Sequence, residues 1–188
     1  MILVTGASGN IGSELVRLLT AKKAKFVAGV PDPSKAKSPA VAIDFSRPET
    51  LRAALKGIES LFLVSGNDPN QQQLEMNVIR EAREANVSRL VKLSVWGATS
   101  ESFSYAKIHR PIERAAEGSG MRWTHLRPNG FFQNLGNFYA GSIKASGRFA
   151  LPAGDAKVSH VDVRDIAAVA AAVLTSTDDT HDGEAYDL

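Results

Sequence analysis

Met1-Ile-Leu-Val-Thr-Gly-Ala-Ser-Gly-Asn-Ile-Gly12 is the stretch whose reading decides the fold of this 188-residue chain. Ile2 to Val4 is an apolar run of strand length, and from Ser13 to Ala21 apolar residues recur at helical spacing, at Leu15, Val16, Leu18 and Leu19. Between the two, Gly6, Gly9 and Gly12 fall three residues apart. Strand, glycine turn and helix in that order are the setting in which a loose glycine pattern reads as a dinucleotide site. Gly6 allows a sharp turn, Gly9 puts no side chain in the way of a pyrophosphate, and Gly12 lets the helix pack close to the strand. The helix start then offers free N–H groups and a positive dipole end to the phosphates. The alternative, a tight turn with no ligand, explains the glycines but not their agreement in spacing and context.

The pattern continues outward. Strand candidates are Ile2–Val4, Phe26–Val30, Ala40–Ile43, Leu61–Val64, Leu90–Leu93 and Thr124–Leu126; helical candidates are Ile11–Lys22, Pro48–Leu55, Asn70–Ala85 and Tyr105–Ser119. This alternation predicts an α/β fold with a Rossmann-type, doubly wound, mainly parallel sheet and helices on both faces, over residues 1–188 as one unit. The nearly uniform apolarity of the strands fits a sheet covered on both sides. Segments rich in Gly, Pro and Ser at 31–39, 65–70 and 97–103 read as loops.

Bulk composition narrows the classes. Lys and Arg number 22 against 20 Asp and Glu, a net charge of +2, with 44% hydrophobic residues. There is no basic stripe, so no nucleic-acid role is expected. The densest basic run, Ala21 to Lys25, falls where the first helix ends and complements its dipole. No stretch is long and apolar enough to span a membrane, and the apolar start is too short and glycine-rich for a signal peptide. With no cysteine, disulfides and thiol chemistry are excluded, which suits a cytoplasmic location. The four histidines, His109, His125, His160 and His181, show no metal-ligand spacing, and no metal is expected.

In such a sheet the binding crevice lies at the carboxyl ends of the strands. Asp32, after the second strand, has the spacing of a ribose-binding acid; followed by Pro33-Ser34, it is equally placed to cap a turn. Asp44-Phe45 and Ser65-Gly66 follow the third and fourth strands, and Ser94 to Gly97 the fifth. After the sixth, Arg127-Pro-Asn-Gly-Phe-Phe-Gln-Asn134 combines turn residues, amides and aromatics, which suits a wall around a flat ring.

Four stretches together carry a family resemblance: Val4–Val16, Leu90–Ala98, His109–Asn134 and Gly147–Leu174. The chain resembles the NmrA-like group of atypical short-chain dehydrogenase/reductases, which includes NAD(P)H:quinone reductases, triphenylmethane-dye reductases and redox-sensing regulators. The resemblance implies a phosphate loop at Gly6, Ser8, Gly9, Asn10, Ile11 and Gly12, an adenine edge at Asp44 and Phe45, and a strand end beside the cofactor at Val64, Ser65 and Gly66. It implies a nicotinamide wall at Leu93, Ser94, Pro128, Asn129, Gly130 and Phe131, and a His-x3-Glu pair at His109 and Glu113. Where the family often carries an arginine for the NADP 2′-phosphate this chain has Pro31, so NADP and NAD both stay open.

The Tyr-x3-Lys acid pair of many short-chain dehydrogenases is also missing. Tyr105 is followed four residues later by His109, on the same helical face, while Lys107 is on another. The implied activity is hydride transfer from NAD(P)H to a planar, electron-poor acceptor such as a quinone, for which a strong general acid is dispensable. His109, Ser94 and Tyr105 are the catalytic candidates, and Trp96, Phe132 and Phe138 the substrate contacts. His109 is a candidate proton donor because an unperturbed imidazole titrates near neutrality. The competing reading is a redox-sensing regulator that binds NAD(P) without turnover; a nucleotide-sugar epimerase is weaker, since it needs the absent tyrosine–lysine pair. A homodimer is compatible with either. Because members of this group usually continue beyond Gly183 to Leu188, most of a C-terminal substrate lobe is expected to be missing, leaving an exposed apolar flank. The small-residue stretch from Gly141 to Ala150 reads as a mobile lid.

Overall fold

The computed structural model describes residues 1–150 and 154–188; the three residues of the Gly147–Leu174 stretch that fall between lie outside the description. Seven strands form one sheet: β1 (Ile2–Val4), β2 (Phe26–Val30), β3 (Ala40–Ala42), β4 (Ser60–Leu63), β5 (Arg89–Leu93), β6 (Arg122–Arg127) and β9 (Glu184–Asp187). Their order is β3-β2-β1-β4-β5-β6-β9, with every pairing parallel. The order reverses between β1 and β4, which opens a crevice at their carboxyl ends. β3 and β9 are the two edges.

Alternate residues of each strand face opposite sides, so a sheet covered twice needs apolar residues at nearly every position. Ile2 and Val4 pack with α1 (Asn10–Ala21) and α6 (Val163–Thr175), through Leu15, Leu19, Ile166 and Ala170. Leu3, Leu61 and Leu63 face the other way, onto α2 (Pro48–Ala54), α3 (Gln71–Glu84) and α4 (Ser104–Glu117), through Leu51, Val78 and Ile112. Among the described residues, no helix is long and apolar enough to cross a membrane.

Three features depart from the sequence reading. The aromatic loop after β6 contains a short strand, β7 (Gly130–Phe131), paired in parallel with β8 (His160–Val161). The glycine-rich stretch read as a lid is helical as far as Ser146, within α5 (Gln133–Ser146). No residue of α5 is buried; its amphipathic pattern is diluted by Gly136 and Gly141, which is why it read as loop. Third, α6 is a helix beyond the four candidates: Asp162 caps it by accepting the N–H of Arg164, and its apolar residues recur at helical spacing. Pro111 sits inside α4 without ending it; its missing N–H leaves one helical bond unmade.

Candidate functional site

The first turn of the crevice follows from Thr5 and the glycines beyond it. The buried Thr5 hydroxyl lies 2.9 Å from the carbonyls of Phe62 and Val64 and accepts the N–H of Val64, tying the end of β1 to the end of β4. Gly6 turns the chain at φ +57°, a conformation that L side chains rarely adopt. Gly12 sits so close beneath it that an added Cβ would lie 2.1 Å from the Gly6 carbonyl oxygen. α1 begins at Asn10 with no side chain capping it, so its first amides remain free at the crevice.

A cleft of about 860 Å³ opens there. It is lined by Gly6, Ser8, Gly9, Asn10, Ile11 and Gly12 from the turn, by Val64, Ser65 and Gly66 after β4, and by Leu93, Pro128, Asn129, Gly130 and Phe131 from β5 onward. Ser94, Trp96, Tyr105, His109 and Phe138 also line it; Lys107 does not. Backbone bonds from Ser94 N to Leu126 O (2.7 Å) and from Trp96 N to Pro128 O (2.9 Å) hold the two loops of the wall together.

Four expected residues stand elsewhere. Asp32 caps the turn at Pro33–Lys35, taking the N–H and hydroxyl of Ser34 on one oxygen and Lys35 on the other. Asp44 does the same with Ser46. These local bonds, Ser34 and Ser46 respectively, hold both carboxyls below the usual range. Phe45 packs into the core beside α2 and α3, and its carbonyl accepts from Asn77. Phe132, between β7 and α5, is exposed and lies against His160, ring centroids 5.7 Å apart.

Behind the cleft wall lies a buried ionic network that the sequence reading touched only through the His-x3-Glu pair. Ser94 Oγ donates to Glu113 Oε1 at 2.6 Å. Arg127 grips both oxygens of Glu113 at 2.9 Å, and Arg110 joins Glu113 to Glu117. Burial alone would raise the Glu113 pKa; Arg127, Ser94 and the neighbouring charges outweigh it and bring it down to about 2. Ser94 thus faces the cleft with its proton committed, as a hydrogen-bond acceptor. Glu75, on α3, and Lys92, on β5, form a second buried pair at 2.6 Å. Lys92 was legible in principle: a lysine between Val91 and Leu93, in a strand covered on both faces, must have a buried partner.

Glu113, Glu117 and His125 bring their ligand atoms within 4.8 Å of one another, a proximity that residue spacing did not show. The carboxylates already hold two guanidiniums, so the cluster reads as an ion network closed on itself rather than a cation site. His125 stacks on Trp123 and neither ring nitrogen makes a hydrogen bond, although Nε2 lies 3.4 Å from Glu117 Oε1. Burial is the main cause that pushes its pKa down to about 4. An unfolded histidine takes up a proton near 6.5, so the stability that a neutral His125 allows is complete above that pH and declines as pH falls toward 4. Relative to a His125→Leu variant, the parent is expected to lose about 2 kcal/mol between pH 7 and pH 5, read from urea unfolding at both pH values. Equal losses in the two proteins would refute the burial argument.

A parallel seven-stranded sheet, a glycine turn at its reversal and a cleft at the strand ends are shared by many nucleotide-binding folds. The sequence matches the NAD(P)H-binding family over residues 6–177. This chain belongs to that family. Among relatives it is 40% identical over 195 residues to NAD(P)H azoreductase of Xenophilus azovorans, covering 99% of this chain and 66% of that protein. It is 32% identical over 199 residues to quinone oxidoreductase 2 of Escherichia coli strain K12, covering 100% of this chain and 68% of that one. The structure of Citrobacter sp. triphenylmethane reductase complexed with NADP(H) superimposes with a TM-score of 0.89 at 27% identity, covering 100% of this chain and 69% of that one. The family resemblance read from the four stretches is borne out. The chain spans about two thirds of the length of these NAD(P)H-binding relatives.

Proposed function

We propose that this chain is the cofactor-binding part of an NAD(P)H-dependent oxidoreductase acting on a planar, electron-poor acceptor of the quinone kind. The observation that carries the reading is the two-sided cleft: uncapped amides and a close glycine turn on one side, exposed aromatic rings on the other. Trp96, Tyr105 and Phe138 are 52%, 48% and 69% exposed, unusual for large rings unless they meet a ligand or another surface. Among the described residues, the lining carries no lysine or arginine, and its one carboxylate, Glu75, is already paired. An uncharged flat ring suits such walls.

The residues present fit the dinucleotide. The free amides of Asn10, Ile11 and Gly12 at the start of α1 would hold the pyrophosphate, an added Cβ at Gly66 would meet nothing within 4 Å, and Phe131 and Pro128 would wall the nicotinamide. When bound, NAD(P)H supplies the hydride, so that cofactor, quinone and one proton give oxidised cofactor and hydroquinone. The chain's own residues orient the two rings and keep water from the space between them. The Asp32 carboxylate is tied to Ser34 and Lys35, which leaves the choice between NADPH and NADH to direct measurement.

Reduced-nicotinamide absorbance followed over time, with NADPH and NADH in parallel and with or without benzoquinone, tests the proposal. Oxidation that needs both protein and quinone is the expected result. Saturable binding with no oxidation of either cofactor would overturn it in favour of a redox-sensing regulator.

A further inference from the structure

Three elements place a carboxylate, an ammonium and an imidazole in line behind the cleft: Glu75 on α3, Lys92 on β5 and His109 on α4. Lys92 is fully buried. Its Nζ lies 2.6 Å from Glu75 Oε2, 3.0 Å from the Leu93 carbonyl and 3.2 Å from His109 Nδ1. An ammonium has three hydrogens and no lone pair, so it donates to all three. Nδ1 is therefore the acceptor nitrogen, and a neutral imidazole then carries its hydrogen on Nε2. Glu75 is held in turn, its other oxygen accepting from Ser65 Oγ at 2.7 Å and Gln71 Nε2 at 3.0 Å.

His109 Nε2 has no partner among the described residues and is not among the occluded unpaired atoms, while His109 lines the cleft. The charged and titratable groups around the ring are Glu75 from α3, Lys92 from β5, and Glu113 and Tyr105 from α4 itself. Burial first, and the Lys92 charge second, hold the imidazole pKa down at about 4, so it is neutral at pH 7. This corrects the expectation of a histidine titrating near neutrality: His109 keeps its proton.

We propose that Lys92, backed by Glu75, is a positioning residue that locks His109 in its Nε2–H form, and that this N–H is the hydrogen-bond donor for a carbonyl oxygen of the acceptor. The inference rests on the oxidoreductase reading for the identity of the acceptor, but not for the lock. A neutral donor fixed in place stabilises charge as it develops on an oxygen without itself being consumed. The proton that completes the product comes from solvent.

Long-range 1H–15N correlation of the histidine rings tests the lock in the parent protein without turnover. The expected spectrum at pH 7 has His109 protonated on Nε2 only; a ring protonated on Nδ1, or exchanging between the two, would overturn the proposal. In the Glu75→Gln/Lys92→Met double variant, which leaves no unpaired buried charge, the two tautomers are expected to mix. Its kcat with benzoquinone should fall about tenfold while Kd for the cofactor is unchanged. His109→Gln, which keeps an N–H donor, should retain more activity than His109→Leu. A double variant that keeps both the Nε2–H form and full kcat would reduce Lys92 to a structural role. Weakened cofactor binding with unchanged kcat would move the donor from acceptor to cofactor and refute the second half of the proposal. If the double variant does not fold, the parent spectrum still decides. A parent that shows the Nε2–H form but reduces no quinone would refute the function reading and leave the lock standing.

Discussion

Gly12→Ala is expected to abolish cofactor binding and to lower stability by about 3 kcal/mol or more. The new methyl group would stand 2.1 Å from Gly6 O, 2.7 Å from Gly6 C and 2.9 Å from Ala7 Cα, all of them backbone. No side chain can rotate to make room. Relief requires α1 to lift off β1, yet Leu15 and Leu19 anchor α1 in the core that it shares with α6. Gly6 cannot yield either, since its own turn is pinned against Val64. Thermal unfolding should show a fall of roughly 6–12 °C, and titration with NADPH, followed by nicotinamide fluorescence, should not saturate. Gly136→Ala on α5, where an added Cβ meets nothing within 4 Å, is the matched control. A Gly12→Ala protein with parental melting and parental affinity would show that the close approach of helix and turn is not required.

Glu113→Gln is expected to cost about 3–5 kcal/mol. One buried carboxylate pairs with Arg127 at the end of β6 and Arg110 on α4, and accepts a hydrogen bond from the Ser94 hydroxyl. An amide of the same shape keeps the space filled but leaves the Arg127 guanidinium without its counter-charge, while Arg110 keeps only Glu117. The sign of the pH dependence follows from the depressed carboxyl. Glu113 titrates near 2 in the fold and near 4.5 when unfolded, so its contribution is complete above about 4.5 and is lost as pH falls toward 2. Parent and variant should therefore differ most in urea midpoint at neutral pH and converge in acid. A difference that does not shrink on acidification would mean the residue acts through packing and not through charge.

The fold was legible because its signals are local. Apolar runs between glycine and proline punctuation gave β1, β2, β4, β5 and β6 within one or two residues, and 3.6-residue periodicity gave α1 to α4. The phosphate turn was legible for the same reason: Gly6, Gly9 and Gly12 are neighbours in sequence. What sequence hid is long-range. Glu75, Lys92 and His109 come from three elements, and which residue partners which is set only when the fold brings Lys92 Nζ within 3.2 Å of the other two. Asp32 and Asp44 show the opposite, a local contact. Their positions after strands suggested a ligand, but a serine two residues on gave each a nearer partner. α5 escaped because glycines and small residues mask a helix that buries nothing.

The two edges of the sheet carry a consequence for the protein in concentrated solution. An open β edge is a row of unsatisfied N–H and C=O groups, on which a second chain can pair and aggregation can grow. Here one edge, β3, is three residues long and follows Pro39; the other, β9, is four residues long and begins and ends on exposed carboxylates, Glu184 and Asp187. At about 3.3 Å per residue neither offers much more than 10–13 Å of template, and the longer one repels a copy of itself. A seven-stranded sheet that is wholly parallel and rich in valine and leucine thereby offers little edge for growth strand by strand into its neighbours.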